Sequence, residues 1–148
     1  MRLAYIAVVA LVLLAPRLHA QTAEATIAWM NENKGMLVPN SEQFRGQVPY
    51  TFGFDSLCTI TWTVGARGST VYWYCVRWEN ITLLRKEPVS PTAIEVRGAS
   101  FWWDNSPGFD PEPRILVWAH TAEAADRFFR AMTNMATLRG AVLRPDIF

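Results

Sequence analysis

The sequence predicts an α+β domain: an N-terminal helix, then a curled antiparallel sheet or barrel of six or seven strands, then an amphipathic C-terminal helix. Three observations carry this. Runs of β-branched and aromatic residues alternate with turn signals through the middle of the chain, and one long stretch of helical periodicity follows the last of them. The composition, 51% hydrophobic and 18% charged over 148 residues, is that of an ordinary globular chain and not of a disordered or strongly basic one.

Residues 1–20 open on Arg2, run apolar from Leu3 to Ala15 and close on Pro16-Arg17-Leu18-His19-Ala20, the three-part layout of a secretory signal cut after Ala20. As a helix the apolar run spans only about 20 Å, against roughly 30 Å of bilayer hydrocarbon, so it reads as a signal and not as an anchor. No Cys lies near the cut to take a lipid. Removing Arg2 and Arg17 takes 14 basic residues to 12 against 13 acidic ones, a net charge of −1. Such a chain has no general attraction for nucleic acid or anionic lipid. The expected organisation is a signal over 1–20, a helix with its connector over 21–49, and the sheet with its closing helix over 50–148. The expected location is secreted or periplasmic, with no membrane span after cleavage.

Thr22 to Lys34 begins with a capping Thr, has an early Glu24 and ends before Gly35, which predicts a short helix packing through Ile27, Met30 and Trp29. From Met36 to Val48 the chain turns polar and reads as a connector. Tyr50 to Asp55 alternates aromatic and small residues, as a strand leading into a hairpin does.

Leu57 to Val64 and Thr70 to Trp78 flank the turn signal Gly65-Ala66-Arg67-Gly68-Ser69. With Ala66 and Arg67 as a two-residue loop, paired positions place Cys58 directly opposite Cys75. An even cysteine count in an exported chain and a cross-strand separation of ~4.5 Å at a non-hydrogen-bonded site both favour a structural disulfide between them. In this register Ile60 faces Trp73 and Trp62 faces Val71 on the cysteine side, which reads as the core side. Thr59 opposite Tyr74 and Thr61 opposite Tyr72 make the other side amphipathic.

Ile81 to Leu84, Ala93 to Arg97 and Ser100 to Trp103 are further short strands, with Pro88 and Pro91 marking a turn. Asp104 to Pro113 holds three prolines and a glycine and reads as a loop. Arg114 to Ala119 is a strand whose alternating sides, Ile115 with Val117 and Leu116 with Trp118, are both expected to be covered. Thr121 caps a helix from Ala122 to Arg139, apolar along Ala125, Phe128, Phe129, Met132, Met135 and Ala136 and ended by Gly140.

A strand meander with a central hairpin and one amphipathic helix after the last strand resembles the pleckstrin-homology-like barrel, in which the helix seals one open end. The segments Cys58-Thr59-Ile60-Thr61-Trp62, Ile81-Thr82-Leu83, Ile94-Glu95-Val96 and Ala124-Ala125-Asp126-Arg127-Phe128-Phe129-Arg130-Ala131 are similar to small secreted bacterial proteins of unknown function that carry such a barrel. The resemblance covers about residues 50–140 and implies a fold and a binding scaffold. Lipid-binding members of that family place several Lys and Arg around the first strand pair; Tyr50 to Val64 has none, so no phosphoinositide partner is expected.

Nucleophilic, zinc-hydrolytic and nucleotide motifs are missing from the sequence, and its one histidine after the signal, His120, sits beside a helix cap. No catalytic residue, metal or cofactor is expected. Asp104, Asp110 and Glu112 lack the spacing of a calcium loop and read as a solvated acidic loop. Asn80-Ile81-Thr82 fits an N-glycosylation acceptor, relevant to a eukaryotic secretory pathway. Arg77, Arg85, Arg97 and Arg114 lie on or beside strands and are suited by their planar paired contacts to an acidic partner, but pairing with Glu79, Glu87 and Glu95 inside the domain is the simpler account. The aromatic excess is the most suggestive feature. Trp102 and Trp103, adjacent on a strand, point to opposite faces, and Tyr72 and Tyr74 share a face with threonines; these four are the candidate ligand-binding residues. The sequence therefore reads as a non-enzymatic binding or interaction module for a protein, peptide or glycan, with a small envelope hydrolase acting on a sugar or ester as the alternative.

Overall fold

In a computed structural model, the described residues are 22–38, 48–65, 68–103 and 111–144, with the side chains of 61–70 excepted. The signal stretch, most of the connector, the Ala66-Arg67 loop, Asp104 and Asp110 lie outside the described residues, as does the side chain of Trp62. Helix α1 (Ala23–Glu32) begins at Thr22, whose hydroxyl accepts from the Ala25 amide at 3.2 Å. It buries Thr26 and Met30, with Ile27 and Trp29 packed partly against the core. The helix stops at Asn33, and a single 3-10 turn over Lys34–Met36 carries the chain to Leu37.

Five antiparallel strands follow in sequence order: β1 (Tyr50–Phe52), β2 (Ser56–Gly65), β3 (Gly68–Glu87), β4 (Ser90–Trp102) and β5 (Arg114–Trp118). The expected six or seven are five because neighbouring candidates fuse. Thr70–Trp78 and Ile81–Leu84 belong to one 20-residue strand, and Ala93–Arg97 and Ser100–Trp103 to β4, which stops at Trp102. What read as a break after Trp78 is a bulge, where β3 shifts register against β4 between Val76 and Ile81. A bulge adds residues to one strand and sharpens its twist, so the long strands bend around the core without ending. The bend brings β4 close to the bulge at Gly98. A Cβ there would lie 2.5 Å from the Asn80 carbonyl oxygen and 2.7 Å from Val76 Cγ2. Gly98→Ala is accordingly expected to destabilise the fold by about 2 kcal/mol, read as a lower urea midpoint at unchanged slope.

The β2–β3 hairpin has the expected register, with Gly65 opposite Gly68 and Cys58 opposite Cys75. The two cysteines form a disulfide across Cα atoms 4.0 Å apart. The expected assignment of faces is corrected: the main core lies on the tyrosine side, although Cys58 and Cys75 are themselves buried on the other. Tyr50, Phe52, Leu57, Thr59, Tyr74 and Val76 are buried and share the inner side, whereas Val71, on the cysteine side, is 49% exposed and Ile60 and Trp73 are half-buried. The reason is non-local: the tyrosine hydroxyls find carbonyl acceptors on β5, so burying that side leaves no polar group stranded.

Helix α2 (Ala122–Leu138) is capped by Thr121, whose hydroxyl accepts from the Ala124 amide at 3.1 Å, and Gly140 leaves it at φ 85°. Its face of Ala125, Phe128, Met132, Met135 and Ala136 is buried in one cluster with Leu84, Ile94, Val96, Ile115 and Val117 of the sheet. Phe128 joins the layers, its ring 5.1 Å from that of Trp29 and 5.7 Å from that of Phe52. The outer sides of β3, β4 and β5 carry a buried carboxylate, Glu95, gripped by Arg85, Arg97 and Arg114, which realises the expected Arg–Glu pairing for these three arginines; Arg77 instead lies over the Phe101 ring. On this same outer side β5 is less covered than expected: Leu116, the register partner of Glu95, is half-buried and Trp118 is 41% exposed. Among the described residues no helix is long and apolar enough to cross a membrane.

Candidate ligand-binding groove

Two concavities lie where the curled sheet meets its turns. The first is a cleft of about 520 Å³ at the seam between β1–β2 and β5, lined by Tyr50, Thr59, Tyr74, Glu112, Arg114 and Trp118 among others. Among the described residues no ladder closes the seam. Instead the Tyr50 hydroxyl donates to the Leu116 carbonyl at 2.8 Å and accepts from the Trp118 amide at 3.2 Å, while the Tyr74 hydroxyl donates to the Arg114 carbonyl at 3.1 Å. Val38 then donates to the Trp118 carbonyl, and Leu37 bridges to Ala119. The free edge of β5 is thus occupied by phenols and a short strap, which removes an exposed template for pairing with other chains.

Both phenols are spent on this edge. Burial pushes Tyr50 up to about 12; the bond from the Trp118 amide opposes the shift without cancelling it. Burial, with the Glu112 carboxylate adding to it, does the same for Tyr74. A raised phenol pKa means the folded state holds the proton that the unfolded chain gives up near pH 10. Their contribution is fully present below that point and is lost as pH rises from about 10 to about 12. Tyr50→Phe leaves a carbonyl and an amide of β5 without their partner. The expected cost is about 2 kcal/mol at neutral pH, with a smaller further loss on alkaline titration than wild type shows in the same denaturation series.

The second concavity, about 550 Å³, opens on the cysteine side. Its first wall is the β1–β2 turn, Gly53 to Ser56. The floor is the β3 bulge, held to that turn by the buried Trp78, whose amide donates to the Asp55 carbonyl at 3.0 Å and whose indole donates to the Gly53 carbonyl at 2.9 Å. Because Trp78 points inward, its neighbours Arg77 and Glu79 point out into the groove. The second wall is the end of β4, Phe101 and Trp103. Arg77 lies over the Phe101 ring at 5.6 Å, and Arg139 covers one face of Phe54 at 4.6 Å while bonding Asp55 at 2.7 Å. Phe54 and Trp103 remain 45% and 59% exposed.

The four sequence candidates therefore separate. Tyr74 is buried at the seam. Tyr72 and Tyr74 meet Trp102 edge-on at 5.8 and 5.9 Å, a cluster on the inner side. Trp103, next in sequence, is on the other side, in the groove. No protein-family model, curated protein or solved structure matches this chain. Phe54 and Phe101 escaped the sequence reading, and Arg77 and Glu79 were read there chiefly as an ion pair; the one local signal was the Gly53-Phe54-Asp55 turn, which sets a large ring beside a glycine. His120 is exposed beside the α2 cap, and among the described residues no group of three or more His, Cys, Asp or Glu converges.

Proposed function

We propose that this chain is an exported, non-enzymatic binding module that holds its ligand in the groove between the β1–β2 turn and the end of β4. The observation that carries the reading is the pair of exposed rings, Phe54 and Trp103, on opposite walls of a concavity whose floor is fixed by the Trp78 hydrogen bonds. Large apolar side chains with a few convergent polar groups in a preformed concavity are the usual make-up of a binding site. The Cys58–Cys75 disulfide supports an oxidising compartment, secreted or periplasmic, for the working protein.

The finer reading of the fold, a pleckstrin-homology-like barrel, belongs to the same proposal. Consecutive antiparallel strands leading into one amphipathic helix support it.

The test is retention of a partner by the mature chain from secreted or periplasmic material, alongside Trp103→Ala. Because Trp103 is exposed at a strand end, the variant is expected to lose the partner while its stability stays within about 0.5 kcal/mol of wild type. A large fall in melting temperature shows that the ring is structural and sinks the reading. Turnover of a sugar or ester panel by the wild-type chain reverses it in favour of a small envelope hydrolase.

A further inference from the structure

We infer that the ligand of this groove is a neutral saccharide, stacked by the C–H face of one ring on the Trp103 indole and held through its hydroxyls by Arg77 and Glu79. The inference rests on the binding reading above and names its ligand class. Three features of the groove select this class.

The first is charge. The charged residues that line the groove are Arg77, Asp55 and Glu79, and Asp55 is bonded at 2.7 Å to Arg139, which lies beside the groove over Phe54. With Asp55 offset by Arg139, Arg77 and Glu79 remain as one cation and one anion, so among the described residues the groove has no excess charge to draw in a phosphate, an acidic glycan or a basic peptide.

The second is the state of the main chain. The Gly53 amide is bonded to the Ser56 carbonyl, the Asp55 and Gly53 carbonyls to Trp78, and the Trp103 amide to the Trp73 carbonyl. The strands that build the groove, β2, β3 and β4, are all interior to the sheet order, and the stretch of β3 from Arg77 to Asn80 that lacks a β4 partner is a bulge and not a sheet edge. An extended peptide gains affinity by adding its backbone to an open sheet edge. None is offered here. A sugar needs no backbone partner, because its hydroxyls are both donors and acceptors and match a guanidinium beside a carboxylate.

The third is the ring itself. Phe54 has Arg139 over one face, and Phe101 has Arg77. Among the described residues Trp103 has no such cation on it, and it is the most exposed ring of the three. The negative face of an indole attracts the weakly positive C–H groups that line one side of a pyranose, and the contact desolvates apolar surface on both.

The experiment is isothermal calorimetry of the disulfide-bonded chain with cellohexaose, maltohexaose and the hexamer of N-acetylglucosamine, with polygalacturonate as the charged comparison and a displayed random-peptide library as a separate arm. At least one neutral hexasaccharide is expected to bind, with affinity unchanged between low and high salt. Trp103→Ala is expected to weaken binding at least about fivefold, Trp103→Phe to restore part of it, and Glu79→Gln to weaken it by a smaller factor. Failure of all three neutral sugars overturns the inference, as does sugar binding that survives Trp103→Ala, or binding confined to polygalacturonate that salt abolishes. Enrichment of peptides by wild type and not by Trp103→Ala overturns the saccharide and leaves the binding groove standing.

Discussion

Glu95→Ala is expected to lower the unfolding free energy by about 3 kcal/mol, because it removes the anion on which three guanidiniums converge. The carboxylate is fully buried. Arg85 reaches it from β3 at 2.7 Å, Arg114 stands 3.2 Å away on β5, and Arg97 bonds it from two residues along β4. Truncation leaves three like charges packed together, of which Arg114 keeps Glu87 at 2.6 Å. The guanidiniums keep 26–50% of their side-chain surface in water, which holds the figure at the low end for a broken buried pair. Glu95→Gln keeps the shape and loses the charge, and is expected to cost less.

The same network sets an acid limit on stability. Burial alone would raise the Glu95 pKa, but the hydrogen bonds from Arg85 and Arg97 outweigh it and hold the carboxyl below its ordinary value of 4.5. The folded state therefore releases this proton more readily than the unfolded chain does. The stabilisation is complete above the ordinary carboxylate range and drains away as pH falls through the lowered folded pKa. Urea denaturation from neutral pH to about pH 3 is expected to show wild type losing more stability than Glu95→Gln. Parallel curves for the two would refute the role given to the charge.

Glu95 also marks where a sequence stops being readable. A lone acid inside Ala93-Ile94-Glu95-Val96 belongs on the outer side of a strand by alternation, and there it lies. That it is sealed from water follows only from Arg85, Arg97 and Arg114 converging on it through pairings with β3 and β5. The helices were legible because their determinants are local: Thr22 and Thr121 cap, and Gly140 ends α2. The hairpin register was legible because a two-residue loop fixes it, and the cysteines fell into place with it. Its faces were misread, because Tyr74 looks like an outward residue until Arg114, 40 residues later, supplies an acceptor. The groove was half legible for the same reason. Adjacency alone put Trp103 opposite Trp102, but Phe54 and Arg77 join it only through the bulge, and a bulge is a property of two strands together.

Reducing the Cys58–Cys75 bond is expected to cost a further independent amount of about 3 kcal/mol, since the bridge closes a loop of 17 residues in the unfolded chain. The hairpin is long, with ten paired positions in register from Ser56 to Gly65, so its folded geometry does not depend on the bond. The expected loss is therefore one of chain entropy: the urea midpoint falls, while groove-dependent binding measured well below that midpoint is retained. The denaturation slope is expected to rise slightly, because an uncrosslinked unfolded chain exposes more surface. Cys58→Ala with Cys75→Ala is expected to match the reduced protein. If that pair instead abolishes binding at full folding, the disulfide is shaping the neighbouring wall at Phe101, its register partner across Cys75, and the bond belongs to the site as well as to the fold. The oxidised form taken directly from secreted or periplasmic material, shown by unreduced mass spectrometry, ties the stabilisation to the compartment in which the protein is proposed to work.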